Sequence, residues 1–130
     1  SLEIRDLSAA KIDSIFKMIQ AAAKEIAAKN STPISFAPID VTAIPAPTDL
    51  RVRKIIAEAA KELGLSYKFM PSGAGHDAQE VAHIAPVGMI FVPSKGGVSH
   101  SPKEFTSAED MANGANVLLQ AVLKIDKGKL

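Results

Sequence analysis

The run Ile44-Pro45-Ala46-Pro47 constrains the fold more than any other feature of this sequence. Each proline removes a backbone donor and fixes φ, so neither a helix nor an internal strand continues through the pair. The chain is therefore expected to fold as two pieces, residues 1–43 and 49–130, joined by a stiff hinge at 44–48. At 130 residues it is long enough for one ordinary core or two small ones.

Ahead of the break, Leu2, Ile4 and Leu7 alternate with Glu3, Arg5 and Asp6, the two-residue period of a half-buried strand. Ser8 is placed to cap a helix over 9–29, because Ile12, Ile15, Phe16, Ile19, Ala22, Ala23 and Ile26 follow at helical spacing. Asn30 ends that helix, a turn at Ser31-Thr32-Pro33 follows, and alternation resumes over 34–41, where Pro38 points to a sheet edge. Past the break, Thr48 or Asp49 caps a helix carrying Leu50, Val52, Ile55, Ile56, Ala59 and Leu63, which Gly64 stops. A short strand is expected at 66–70, a short helix over 76–83 and a strand at 87–92. The last is apolar throughout, as in a parallel sheet covered on both faces. A final helix over 107–126 aligns Met111, Ala115, Leu118, Leu119, Val122 and Leu123. The class is α/β.

With 15 Lys+Arg against 14 Asp+Glu and no basic block, the footprint of a nucleic-acid or anionic-membrane binder is missing. No apolar run approaches the length of a bilayer span, and the first residues lack signal-peptide character, so a cytoplasmic setting is expected. The absence of cysteine rules out a disulfide framework, a thiolate metal site and a cysteine nucleophile.

Two loops next to expected strands hold the unusual residues, where open α/β sheets place their ligands. In Ser72-Gly73-Ala74-Gly75-His76-Asp77, the glycines admit close approach to the backbone, and the N–H groups opening the next helix favour anions. A tight strand-to-helix turn explains the same composition equally well, and no Gly-Lys-Ser/Thr follows to make it a phosphate loop. In Ser94-Lys95-Gly96-Gly97-Val98-Ser99-His100-Ser101-Pro102, an imidazole is free to aim at a metal or substrate, although most such histidines are ordinary loop residues. His83 reads as a helix-surface or partly buried histidine near a helix C-terminus. Ser72, Ser99 and Ser101 lack a Gly-x-Ser-x-Gly elbow, which disfavours a serine hydrolase. Glu80, Glu104, Glu109 and Asp110 are accounted for by helix caps and solvated faces, and Arg5 by an ion pair with the adjacent Asp6.

Taken together and in order, Met70-Pro71-Ser72-Gly73-Ala74-Gly75-His76-Asp77-Ala78, then Pro86-Val87-Gly88-Met89-Ile90-Phe91-Val92-Pro93-Ser94, then Gly96-Gly97-Val98-Ser99-His100-Ser101-Pro102 and Asp110-Met111-Ala112-Asn113-Gly114-Ala115 resemble the C-terminal portion of the N-carbamoyl-L-amino acid hydrolases and allantoate amidohydrolases. These enzymes belong to the dizinc aminoacylase/carboxypeptidase clan of metallopeptidases. The opening Leu2-Glu3-Ile4-Arg5-Asp6 resembles a strand of their lid domain, so the likeness covers essentially the whole chain.

The resemblance implies the C-terminal part of a zinc-peptidase-like catalytic domain (49–130) plus the last strand-helix-strand of a ferredoxin-like lid or dimerisation domain (1–43). It implies hydrolysis of the C–N bond of N-carbamoyl-L-amino acids or related ureido acids, two divalent cations (Zn, or Mn, Co or Ni) and a homodimer. Of the family's metal ligands only the last has a counterpart, His100, and the general-base glutamate has none, so this stretch by itself is expected to be inactive. Arg5 matches a lid arginine that grips the substrate carboxylate, often in the neighbouring subunit's site, a task suited to a guanidinium fork. His76, Asp77, Gly73 and Gly75 match a loop lining the site, and Gly96 and Gly97 match a loop bringing backbone to substrate. A chain opening directly on a strand also suggests truncation. The alternative is a stand-alone binding or dimerisation module derived from such an enzyme.

Overall fold

The computed structural model of the chain describes residues 1–39 and 44–130. Contacts divide it into two units: Ser1–Pro47 with Pro71–Glu80, and Thr48–Met70 with Val81–Leu130. The last two residues of the expected second strand, 40 and 41, lie outside the described residues.

In the first unit α1 spans Ala9–Asn30. Ser8, in the β region, caps it by accepting the Lys11 N–H at 3.4 Å. At the other end, Asn30 Nδ2 donates to Ile26 O at 2.9 Å and Ser31 turns left-handed at φ 50. Of the expected stripe, Ile12, Phe16, Ile19 and Ala23 are half-buried while Ile15, Ala22 and Ile26 are exposed, and no residue of α1 is fully buried. Phe16 on α1 stands edge-on to Phe36, ring centres 5.5 Å apart. The short helix α2 is Asp77–Val81, which stops before the expected residue 83.

The second unit is built on α3, Leu50–Glu62, and α4, Ala108–Lys124. Ser107 caps α4 by accepting the Asp110 N–H at 3.0 Å, and a π turn over Ile125–Lys129 follows it. Between the two helices small side chains make the seam. Ile55, Ala59, Ala60, Val117 and Ala121 form the buried cluster, with Ile56, Leu65, Ile90 and Ile125 packed around it. Lys124 lays its stem along this seam and donates to Glu62 Oε1 at 2.6 Å, tying α4 to α3.

Asp49 caps α3, and its carboxylate accepts the Arg51 guanidinium at 2.8 Å and the backbone N–H groups of Arg51 (2.7 Å) and Val52 (3.4 Å). The Arg51 side chain first, then these backbone donors, hold the Asp49 carboxyl down at about 2. A carboxyl depressed in the fold contributes stability that is complete above its unfolded value, ordinarily about 4, and drains away as pH falls toward 2. Asp49→Asn, which still caps, should therefore flatten the acid limb of the stability curve over that window. Denaturant melts between pH 5 and pH 2 check this, and an unchanged slope would remove Asp49 from the account.

The expected strands are a correction: among the described residues none is paired into a ladder. Alternation persists without partners. Across 87–92, Gly88 lies against Val52 and Ile56, Ile90 packs on the buried cluster and Val92 meets Gly114, so the even positions face the helices. Phe91, on the other side, is 50% exposed, so the expectation of burial on both faces fails here. Burial from two sides needs a layer on each, and within this unit only α3 and α4 supply one. The accessible surface is 10290 Å². Two closed domains sharing this chain's mass would expose only about 8,000 Å². Much of the surplus is apolar, including Ile84, Leu50, Phe69, Phe105 and Leu118. Among the described residues no helix is long and apolar enough to cross a membrane.

Candidate functional site

In the first unit, the loop ahead of α2 is held from three sides. Arg5 Nη1 donates to Gly73 O at 2.9 Å, while its Nε pairs with Glu3 at 2.5 Å. The expected Arg5–Asp6 pair is not formed. Period-two alternation puts Glu3 and Arg5 on one side of the chain, and Asp6 instead accepts the Ser8 N–H at 2.8 Å ahead of α1. Ser72 Oγ lies 2.7 Å from His76 Nε2 and accepts the Ala74 N–H at 3.3 Å. Gln79 clamps the helix start: its Oε1 accepts the His76 N–H at 3.2 Å and its Nε2 donates to Ile44 O at 3.1 Å.

These contacts bring Arg5, Gly73 and His76 together in one unit. Gly73 has open space where a Cβ would stand, and Gly75 has only the Gln79 amide near that point, at 3.5 Å. Asp77 is exposed at the first position of α2, where its charge suits the helix start. Gln79 was missed in the sequence. Its signal was a Gln three residues after the cap position, half of a capping box, obscured because His76 rather than Ser or Thr opens it.

The second unit carries the other loop, whose base is pinned by Lys95 N–H to Phe105 O at 2.8 Å and by Ser94 Oγ–H to Val98 O at 2.5 Å. Gly96 and Gly97 both take left-handed φ, 67 and 68, a double turn that side chains resist. Nothing stands within 4 Å of a Cβ built on Gly97, so its backbone is open to approach. His100 is also left-handed, φ 54, and is held there by Glu104, whose Oε2 accepts its backbone N–H at 2.8 Å. A non-glycine residue at such φ is uncommon and costs backbone energy. The His100 ring is exposed, with Nδ1 3.3 Å from Ser99 Oγ.

As a donor set for a metal, this is one imidazole with a hydroxyl behind it. No group of three or more His, Cys, Asp or Glu able to hold an ion occurs among the described residues. Catalytic zinc sites present three protein ligands, so the described residues do not by themselves fit a metal centre.

The chain belongs to Peptidase family M20/M25/M40, whose model matches residues 6–124. It is similar to a ureidoglycolate hydrolase of Arabidopsis thaliana, 44% identical over 95% of this chain and 26% of that protein. It is also similar to an N-carbamoyl-L-amino acid amidohydrolase of Geobacillus stearothermophilus, 38% identical over 98% of this chain and 31% of that protein. An allantoate amidohydrolase of Bacillus subtilis is 48% identical over 62% of this chain and 20% of that protein. Among solved structures it resembles the crystal structure of AtUAH in complex with (S)-hydroxyglycine, with a TM-score of 0.76 over 92% of this chain and 28% of that one. The chain thus spans about a quarter to a third of the length of most of these relatives.

Proposed function

We propose that these residues form the closing portion of an amidohydrolase that cleaves the C–N bond of an N-carbamoyl-L-amino acid or a related ureido acid. The observation that carries the reading is the Arg5 guanidinium laid on the Gly73–His76 loop, in a chain matched over 95% or more of its length by hydrolases named for such compounds. Arg5 grips the substrate carboxylate, and His76, Asp77, Gly73 and Gly75 line the same subsite. Gly96 and Gly97 bring backbone N–H groups to the substrate. His100 gives one imidazole to a metal centre completed by residues outside this chain. Residues 1–43 serve as the end of a lid that also pairs in a homodimer, 44–48 as its hinge and 49–130 as the end of the catalytic domain.

The purified chain, supplied with Zn, Mn, Co or Ni, should then hydrolyse none of N-carbamoyl-L-amino acids, allantoate or ureidoglycolate. A chimera in which it replaces the matching segment of the Geobacillus amidohydrolase should be active. Turnover by the isolated chain refutes its inactivity, and a folded but dead chimera refutes the assignment.

The apolar surface of the second unit favours a second reading, a stand-alone binding or dimerisation module. That reading takes over if the chimera is inactive while sedimentation shows the chain alone to be a stable dimer.

A further inference from the structure

We propose that a groove between α3 and the segment that follows it binds a small carboxylate with a flat apolar body. In the second unit, Leu50, Arg53, Lys54, Ala57, Glu58 and Lys61 line one wall of a groove of about 540 Å³, and Tyr67 and Phe69 line the other. The helix positions recur at steps of three and four, so they share one stripe of α3. A different stripe carries Ile55 and Ala59 into the seam with α4. Past the helix Gly64 turns left-handed at φ 70, and the Leu65 N–H donates back to Ala60 O at 2.9 Å, which reverses the chain. Period-two alternation then puts Tyr67 and Phe69 on one side of the returning segment, their rings edge-on with centres 5.8 Å apart.

Size and charge together select the occupant. The volume is that of a small-molecule site. Three cations, Arg53, Lys54 and Lys61, line it against one carboxylate, Glu58, and among the described residues none of the three forms an ion pair. Arg53 Nε is buried and, among the described residues, has no hydrogen-bond partner. Its guanidinium is thus partly stripped of water already, which strengthens its hold on an anion that reaches it. A carboxylate answers that fork, and a flat apolar body answers the two rings. A simple anion would leave the rings bare, and a neutral hydrocarbon would leave the cations unused. None of these residues has a role in the ureido-acid reading above, so either proposal can fail alone.

Tyr67 is the only tyrosine of the 130-residue chain, which has no tryptophan, so its fluorescence reports on this groove alone. Titration of the chain with hydrocinnamate should change that emission saturably and shift the backbone NMR signals of 50–61 and 67–69. Hydrocinnamamide, which keeps the ring without the charge, and propionate, which keeps the charge without the ring, should each bind about 10-fold or more weakly. Arg53→Gln should weaken hydrocinnamate by about 10-fold, the size of one charge-assisted hydrogen bond. Lys54→Gln combined with Lys61→Gln, both exposed and free of the core, should weaken it about 3-fold, with circular dichroism showing each variant folded. Emission that fails to saturate, an amide that binds as tightly as the acid, or an affinity unmoved in both sets of variants overturns the proposal. Loss of binding in the folded chimera, measured by calorimetry, also overturns it and gives the groove to the rest of the Geobacillus protein. A dimer in sedimentation that Tyr67→Ala breaks overturns it too, in favour of a second copy of the chain.

Discussion

Gly88→Val should destabilise the second unit by about 2–3 kcal/mol, the upper range for forcing extra carbon into a packed contact. A Cβ at residue 88 would stand 2.5 Å from Val52 Cγ1 and 2.9 Å from Ile56 Cδ1, both on the buried side of α3. Val52 cannot yield cheaply, because it is β-branched and 7% exposed on a helix seamed to α4 by alanines, whereas the Ile56 contact is the tip of a longer, half-buried side chain that can swing aside. For a small domain this amounts to a fall in melting temperature of about 10 °C or more. Val52→Ala clears the space, so Gly88→Ala combined with Val52→Ala should cost less than the sum of the two single changes. Thermal melts of the four proteins measure the coupling, and simple additivity would show that the glycine is not there for the valine.

The second large effect concerns chemistry. In the active chimera, Arg5→Ala should lower kcat/KM by about 30- to 1,000-fold, the range expected when one member of a close charge pair is truncated. Arg5→Lys should recover little, since a point charge does not reproduce a fork that holds Gly73 O and a carboxylate together. His100→Ala should nearly abolish turnover and reduce the metal content of the purified chimera, measured by atomic absorption. Unchanged kcat/KM in Arg5→Ala, or full metal content with full activity in His100→Ala, would strip those residues of their proposed roles.

What the sequence revealed and what it concealed divide by distance along the chain. Ser8 caps the helix expected of it, and Asp49, one of two candidates with Thr48, caps α3, because a cap is a contact between residues two or three apart; Ser107, expected as the first residue of the last helix, is instead its cap. The strands were read from a true alternation, still visible in the way Gly88, Ile90 and Val92 face the helices. Their ladders require partners that this stretch does not supply among its described residues. Membership of the family was legible because ordered motifs carry it. The inner arrangement of the site was not. Arg5 pairing with Glu3 rather than Asp6, the Gln79 clamp and the Ser72–His76 contact all depend on how the loop closes on itself. Spacing alone admits several such closures.

The burial pattern also ranks the elements by how readily they open. Among the described residues every buried one lies in α3 or α4, whereas the 22 residues of α1 bury none. Backbone amides along the alanine seam should be the last to exchange their hydrogens and those of α1 among the first. Arg5 and His76 therefore sit in the unit held by the fewest packed atoms, and their mutual geometry depends mainly on hydrogen bonds. A ligand bridging them would do more than occupy a site: by binding only the folded form it would stabilise a unit whose described residues bury no side chain fully.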